Sequence, residues 1–332
     1  LSSAVQDVTV SIIIPVRDYA AGIGACVDAA LAQVPPAAEV IVSDDGSADG
    51  SGDVARARGV RVIRSEVSHG AATARNDAVA VACGEILLFL DSDCIARPSA
   101  VRTVVEAITR PGGPDAVFGS YDDDPSEPSL VSQFRNLLHH YTHQTGASEA
   151  ATFWTGCGGI RREAFESVGG FDPHWDGIED IELGYRLRAR GFRIELLRDL
   201  QVRHLKLWTL RSMISTDFSQ RAVKWSRLIR ETGVAADDLN ISIGQRLSVA
   251  LAASAAVALA VSITEPAALA IAAAALAGVA FLNRDFYAFL ASRRGIGFVI
   301  AIFPFHICYF LTAGSGFVYA LIEGWFRSRF AS

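Results

Sequence analysis

The sequence predicts an α/β fold with a mainly parallel central sheet, followed by interfacial and then transmembrane helices. Three observations predict it. Short apolar runs alternate with helix-like segments through the first ninety residues; each run empties into polar turn residues; and the last ninety residues turn apolar and slightly basic. The chain has 332 residues, 51% of them hydrophobic, with a net charge of −6. That charge is unevenly spread. From Ile241 to Ser332 there are three acidic residues against six Arg and no Lys, so the tail carries +3 and the part before it −9. A strongly acidic front part joined to apolar segments excludes nucleic acid as the expected partner.

"VTVSIIIPVRD" (8–18) is a β-branched strand closed by Pro15, and Ala20–Gln33 is helix-like before Pro35-Pro36. "EVIVSDDGSADGS" (39–51) is a second strand ending in acidic and Gly/Ser residues. Gly52–Arg58 reads as a helix, "VRVIRS" (60–65) as a third strand and "HGAATARNDAVAVACG" (69–84) as a helix with a glycine at each end. "GEILLFLDSDC" (84–94) is the fourth strand: five apolar residues, Ile86–Leu90, deliver Asp91 and Asp93 at its end. Runs without polar alternation are expected of strands buried on both faces, as in a parallel sheet covered by helices. Ligands of such sheets bind beyond the carboxyl ends of the strands. Pro15-Val16-Arg17, Ser43-Asp44-Asp45 and Asp91-Ser92-Asp93 all fall there, which predicts one shared polar edge.

"SIIIPVRDYA", "IVSDDGSADGS", "ARNDA", "LLFLDSD" and "GIEDIELGYRLRARGFRI" occur in this order. Over about residues 8–205 the chain resembles the inverting nucleotide-sugar glycosyltransferases of family 2, with a GT-A fold, in a membrane-anchored version. The resemblance implies a UDP- or GDP-sugar donor and Mn²⁺ or Mg²⁺. A divalent cation on carboxylates neutralises the diphosphate leaving group while keeping phosphate oxygens and water as further ligands. Asp93 is the expected direct ligand, with Asp91 on the ribose or a metal-bound water. The resemblance places Asp45, or Asp44, at the base, Pro15 beside it and Arg75 near the diphosphate. His204 matches a histidine that completes the metal site in some relatives, and imidazole favours Mn²⁺.

An inverting displacement needs a base on the face opposite the leaving group. Asp180 in "IEDIELGYRL" fits the family's base position, with Glu179 beside it. The plain alternative is that both belong to the acidic first turn of a helix, where the dipole favours them. In "FWTGCGGIRREAFESVGGFD", Trp154 is a candidate to stack on a sugar, and glycines such as Gly156 allow close approach to a ligand. His139 and His143 share a helical face and are expected on a helix surface or against the acceptor. Arg221-x-x-Lys224-Trp225 only approximates the Q-x-x-R-W signature of processive synthases, and the departure leaves both a processive and a non-processive enzyme open.

Residues 203–230 carry seven basic residues and one acidic one, interleaved with Trp208, Phe218 and Trp225. Such a segment suits a membrane surface. Leu247–Ile263 and Ala267–Leu282 are uncharged, and Ile296–Ile322 is a longer apolar run interrupted by Pro304. A span needs roughly 20 residues, and Arg293-Arg294, Arg327 and Arg329 flank these runs. The expected organisation is 1–205 glycosyltransferase domain, 206–240 interfacial helices and 241–332 transmembrane helices, with a re-entrant or spanning third segment. The polar Leu1–Asp7 predicts no leader. The expected setting is the inner cell membrane, multi-pass, with a cytoplasmic catalytic domain and five free thiols. The expected acceptor is a lipid or glycan, and small-residue helices suit a homo-oligomer. Nucleotidyl transfer, a rival chemistry, lacks its Gly-rich basic loop in "PVRDYAAGIG" (15–24). The other rival, a non-catalytic scaffold, is disfavoured by the intact Asp91, Asp93, Glu179 and Asp180.

Overall fold

A computed structural model describes residues 8–233 and 242–330. The Leu1–Asp7 opening and the composition break at Ile241 lie outside the described residues. The chain forms two compact units, Leu1–Glu127 with His143–Lys206, and Pro128–Thr142 with Leu207–Ser332.

In the first unit, β1 (Val10–Val16), β2 (Glu39–Asp44), β3 (Arg61–Arg64) and β4 (Ile86–Leu90) pair in parallel in the order β3-β2-β1-β4. Helices α1 (Ala20–Leu31), α2 (Ser51–Arg56) and α3 (Ala71–Val81) alternate with them, close to the expected bounds. Ile12, Ile13, Ile14, Leu87 and Phe89 are buried, which accounts for the unbroken apolar runs. The chain crosses from β3 back to the far side of β1, so the topological switch lies between β1 and β4. Pairing of β1 with β2 continues to Val16–Asp44, whereas pairing with β4 stops at Ile13–Phe89. Pro15, with no N–H to donate, follows that last pair, and the two strand ends part where a ligand crevice is expected.

The remaining strands turn the sheet into a mixed one. Four more of them are β5 (Cys94–Ala96), β6 (Ala116–Tyr121), β7 (Glu149–Ala150) and β8 (Cys157–Arg161), and the last is β9 (Ile194–His204). β8 runs antiparallel to β4 and β6, while β9 is parallel to β6 and antiparallel to β5 and β7. Helix α4 (Ala100–Thr109) packs on this half, where a Cβ at Gly159 would stand 2.3 Å from Val104. Helices α5 (Leu130–Thr145) and α6 (Arg162–Ser167) come next along the chain, and α7 (Glu179–Ala189) follows a short turn at Pro173–Trp175.

In the second unit, α8 (Leu210–Ser215), a π-helical stretch (Thr216–Ala222) and α9 (Val223–Thr232) precede four longer helices: α10 (Ile243–Val261), α11 (Ala268–Leu282), α12 (Arg284–Arg294) and α13 (Ile296–Phe330). α10 and α13 are long and apolar enough to cross a membrane, and α11 with α12, bent by 71°, form a third candidate as a pair. α13 continues through Pro304, so the third apolar run is one helix rather than a re-entrant turn. Small residues let α10 and α11 meet closely, with Ala252, Ala255, Ala272 and Ala275 buried. A second core of Phe134, Leu137, Phe286, Leu290 and Ile302 fills the unit near α12.

Gly184 shows how closely α7 is held. A Cβ there would lie 2.6 Å from the Phe153 nitrogen and the Thr152 Cα, and backbone cannot yield as a flexible side chain does. Gly184→Ala is expected to destabilise the chain by about 1–3 kcal/mol, the ordinary cost of overpacking. Thermal unfolding of the full chain in detergent checks this; an unchanged midpoint would contradict the tight seating of α7.

Candidate active site

The polar turn after β2 performs a remote capping task. Ser47 Oγ accepts from Asp18 N at 3.0 Å, Ser51 Oγ from Tyr19 N at 2.7 Å and Asp49 Oδ2 from Ala20 N at 2.7 Å. Backbone donors entering α1 are thereby satisfied from the second strand exit. Asp44 is buried, accepting from Ser47 N at 2.9 Å, with Arg64 Nε 3.6 Å from its other oxygen. Asp45 accepts from Ser68 Oγ at 2.6 Å, His69 N at 2.7 Å and Gly70 N at 3.0 Å. The carboxylate expected at the base therefore holds the loop that opens α3.

α3 carries Arg75, whose guanidinium is buried. It donates to Asp91 Oδ1 at 2.7 Å and to Glu179 Oε1. One cation joins the end of β4 to the start of α7. Glu179 also accepts from Gly177 N, so both its oxygens are engaged. Asp180 follows it in the first turn of α7. Its Oδ1 accepts from Ile181 N at 2.8 Å and its Oδ2 from Thr155 N at 3.4 Å. Burial pushes the Asp180 carboxyl up, the neighbouring Glu179 charge adds to this, and Arg75 opposes it, leaving the group at about 7. A carboxyl so placed is half-ionised near neutrality, the condition for a general base.

Asp93 and His204 meet through the sheet. Cys94 is the register partner of His204 in the β5–β9 pair, and Leu205 N donates to Asp93 O at 2.8 Å. The Asp93 carboxylate then lies 3.4 Å from His204 Nε2. Burial works against the Asp93 charge, but His204 and Lys206 outweigh it and hold the carboxyl below its usual range. The His204 ring is stacked on Tyr121, with centroids 4.0 Å apart. No group of three His, Cys, Asp or Glu side chains able to hold an ion is present among the described residues. The oxygen–nitrogen pair of Asp93 and His204 nonetheless fits two positions of a divalent cation whose other ligands are phosphate and water.

Trp154 stands edge-on between Tyr121 and His143, at 5.1 and 5.5 Å. A Cβ at Gly156 would meet the Trp154 ring at 2.0 Å, and one at Gly158 the Trp154 carbonyl at 2.3 Å. These glycines admit protein atoms. His143 is buried, its Nδ1 2.8 Å from the Gly119 carbonyl, and not on a helix surface. Cys26, Cys94 and Cys157 are buried free thiols, and burial raises all three. Pro15 is buried in β1. Arg221, Lys224 and Trp225 belong to the second unit.

Three residues that the sequence did not single out hold this arrangement. Asn76 donates to Phe171 O at 2.8 Å and accepts from Phe171 N at 3.0 Å, tying α3 to the segment before α7. Asp176 accepts from Ala72 N at 3.3 Å at the other end of that segment. Tyr121 fixes the His204 ring. Asn76 lies in "ARNDA" and Tyr121 in "YDDDP" (121–125), which reads as a solvated turn or as a segment lining the acceptor side; nothing local marked Asp176.

The family model for glycosyl transferase family 2 matches residues 11–169, and the model described as the N-terminal domain of galactosyltransferase matches residues 135–207. The chain is 33% identical over 195 residues to validoxylamine A glucosyltransferase of Streptomyces hygroscopicus subsp. jinggangensis, covering 48% of this chain and 46% of the relative. It thus spans less than half of that relative's length. A mannosyltransferase from Pyrobaculum calidifontis, solved with GDP-Man and Mn²⁺, superposes with a TM-score of 0.59 at 21% identity, over 94% of this chain and 87% of that one. Glucosyl-3-phosphoglycerate synthase from Mycobacterium tuberculosis, solved with Mg²⁺ and uridine diphosphate, gives 0.50 at 23% identity, over 70% and 82%. These two show that the fold is GT-A-like.

Removing Arg75 would leave two carboxylates facing each other in a protein interior. Arg75→Met is expected to cost about 3–5 kcal/mol, as for breaking a buried ion pair. Without the Arg75 charge the Asp180 carboxyl, already raised, should rise further, so the unfolded chain would bind fewer protons than the folded one, and the loss should shrink as pH falls. Thermal melts between pH 5 and 8 check this; a small loss that does not depend on pH would refute the brace.

Proposed function

From residues 11–169 as a family 2 glycosyltransferase domain, we propose that the chain is a metal-dependent inverting glycosyltransferase. In this reading it moves a sugar from a nucleotide-sugar donor to a membrane-associated acceptor. The observation that carries it is the ion chain Asp91–Arg75–Glu179 beside an Asp180 held near neutrality, with the Asp93–His204 pair at the same strand edge. Donor recognition and base sit on opposite ends of one buried cation. UDP- and GDP-linked sugars both belong to the class, since solved relatives hold each kind of nucleotide.

The donor lies across the parted ends of β1 and β4. Pro15 and the loop pinned by Asp45 border the base, and Asp91, about 30% exposed, is free on one side to meet the ribose or a metal-bound water. Asp93 and His204 would hold a divalent cation, which when bound neutralises charge on the departing diphosphate. Arg75 serves chiefly as a brace, joining Glu179 to Asp91 and keeping Asp180 from rising further. Asp180 takes the proton of the acceptor hydroxyl, and Glu179, already engaged at both oxygens, keeps the start of α7 in place. Trp154 borders the acceptor side.

Two helices able to cross a membrane support attachment to a bilayer. With the catalytic unit cytoplasmic, the acceptor is a lipid or a lipid-linked glycan. Arg221, Lys224 and Trp225 lie on the amphipathic segment that leads into α10, and are proposed to meet that acceptor.

Asp180→Asn is expected to cut turnover at least about a hundredfold, the low end for general acid–base catalysis, with donor affinity nearly unchanged. Asparagine also serves well at helix starts, so a structural Asp180 would leave turnover near wild type and shift the base to Glu179. Asp93→Ala should abolish Mn²⁺-dependent donor binding in calorimetry with UDP-glucose or GDP-mannose. Donor and Mn²⁺ bound as in wild type would remove the Asp93–His204 pair from the metal site.

A further inference from the structure

The last turns of α13 gather arginines against α9, both within the second unit. We propose that this junction binds the headgroup of an anionic bilayer phospholipid, whose phosphodiester bridges Arg230 and Arg327. The site is separate from the proposed transfer reaction, and the lipid there is a fixed neighbour of the protein, not a reactant.

Depth selects the ligand. Residues 296–322 contain no Asp, Glu, Lys or Arg, and Glu323 is the first charge on α13. At a rise of 1.5 Å per residue, that uncharged run is about 40 Å long. A bilayer with its headgroup layers is roughly 40–45 Å thick. With α13 as a span, Glu323 and the residues after it stand at the level of the lipid phosphates. Trp325, 52% exposed, is of the residue type enriched at that level.

The cluster is built by two helices. Arg227 Nε and Nη2 donate to the two Glu323 oxygens at 2.7 and 2.8 Å, and Arg327 Nη2 donates to Glu323 Oε1 at 3.0 Å. Arg230 Nη1 donates to the Ala320 carbonyl at 2.9 Å. Ala320, Gly324 and Arg327 are spaced by four and then three residues, so they share one face of α13. A Cβ at Gly324 would stand 2.2 Å from Arg230 Nη1. The glycine thus admits the Arg230 guanidinium onto the face that carries Arg327. Three guanidiniums meet one carboxylate here, an excess of two positive charges.

The donors left over set the chemistry. Arg227 is engaged as a fork by Glu323. Among the described residues, Arg230 uses one nitrogen on a carbonyl, and Arg327 one on an oxygen already shared with Arg227. A guanidinium has five N–H donors, so both keep donors for further oxygens, and phosphate matches their planar fork. A zwitterionic headgroup would bring its own cation to this excess. An anionic one offsets it.

The test uses the full chain in a neutral detergent, with radiolabelled phosphatidylglycerol and phosphatidylcholine of the same acyl chains added as mixed micelles. The expected result is one saturable site for phosphatidylglycerol, with phosphatidylcholine at least about tenfold weaker, the scale of a charge-assisted hydrogen bond. Arg230→Gln and Arg327→Gln should each weaken phosphatidylglycerol about tenfold. Arg284→Gln, which removes a charge from α12, should leave it unchanged. Gly324→Ala keeps every charge but displaces the Arg230 guanidinium, and should weaken phosphatidylglycerol about as much as Arg230→Gln. Should that variant not fold, the contrast of Arg230→Gln with Arg284→Gln reads the same point. Equal affinity for the two lipids, binding that never saturates, undiminished binding by a folded Gly324→Ala, or equal losses in Arg230→Gln and Arg284→Gln would overturn the site and leave only diffuse attraction. Displacement of phosphatidylglycerol by glycerol 3-phosphate would assign the cluster to a soluble phosphate and overturn the lipid.

Discussion

The site depends on one buried guanidinium. Arg75 keeps both carboxylate partners only when the end of β4 and the start of α7 are in place, because Asp91 and Glu179 come from those elements. Three carboxylates gathered in a protein interior would repel one another and protonate. A single always-charged arginine pairs with two of them and opposes the upward push on the third, Asp180, which stands near neutrality. The chain invests several local devices in holding this cation. Asp45 fastens the loop before α3, Asn76 clasps the backbone of Phe171, and Gly184 lets α7 approach Thr152 and Phe153. Each is a packing or hydrogen-bond feature remote from any reacting atom, and each acts on where the carboxylates stand.

The second constraint is the parting of β1 and β4 after Ile13 and Phe89. A parallel sheet whose strand order reverses there must leave a crevice, and the three polar strand exits meet at it. The mixed second half of the sheet then completes the site from the opposite direction. β9 returns His204 to the neighbour of Cys94, which sets the imidazole against Asp93. Two residues far apart in the chain thus become one candidate cation site through strand register alone.

The parallel half was legible because its strands are continuous apolar runs and α2 and α3 each begin at a glycine. The antiparallel half was not. β7 has two residues and β5 three, too few for any periodicity, and β8 contains two glycines whose role is to admit Val104 and the Trp154 backbone. The glycines of that segment suggested a ligand's approach, whereas the neighbours are protein. Asp45, expected at the donor base, also accepts from three donors of the loop that opens α3, a tie that no local pattern encodes. Pairings such as Arg75 with Glu179 rest on tertiary contact between segments a hundred residues apart, which no local pattern encodes. In the tail, length and composition identified apolar runs correctly, but the continuity of α13 through Pro304 depends on packing that the proline alone would argue against.

The pH dependence of donor turnover tests the central claim most directly, because it reads the ionisation of Asp180 in the working enzyme. Burial and the Glu179 charge hold that carboxyl at about 7, and a base acts only when deprotonated. With UDP-glucose or GDP-mannose and Mn²⁺, the initial rate at low donor concentration should fall about tenfold per pH unit below that value and level off above it. A rate that stays flat from pH 5 to 8 would contradict an Asp180 base poised by Arg75.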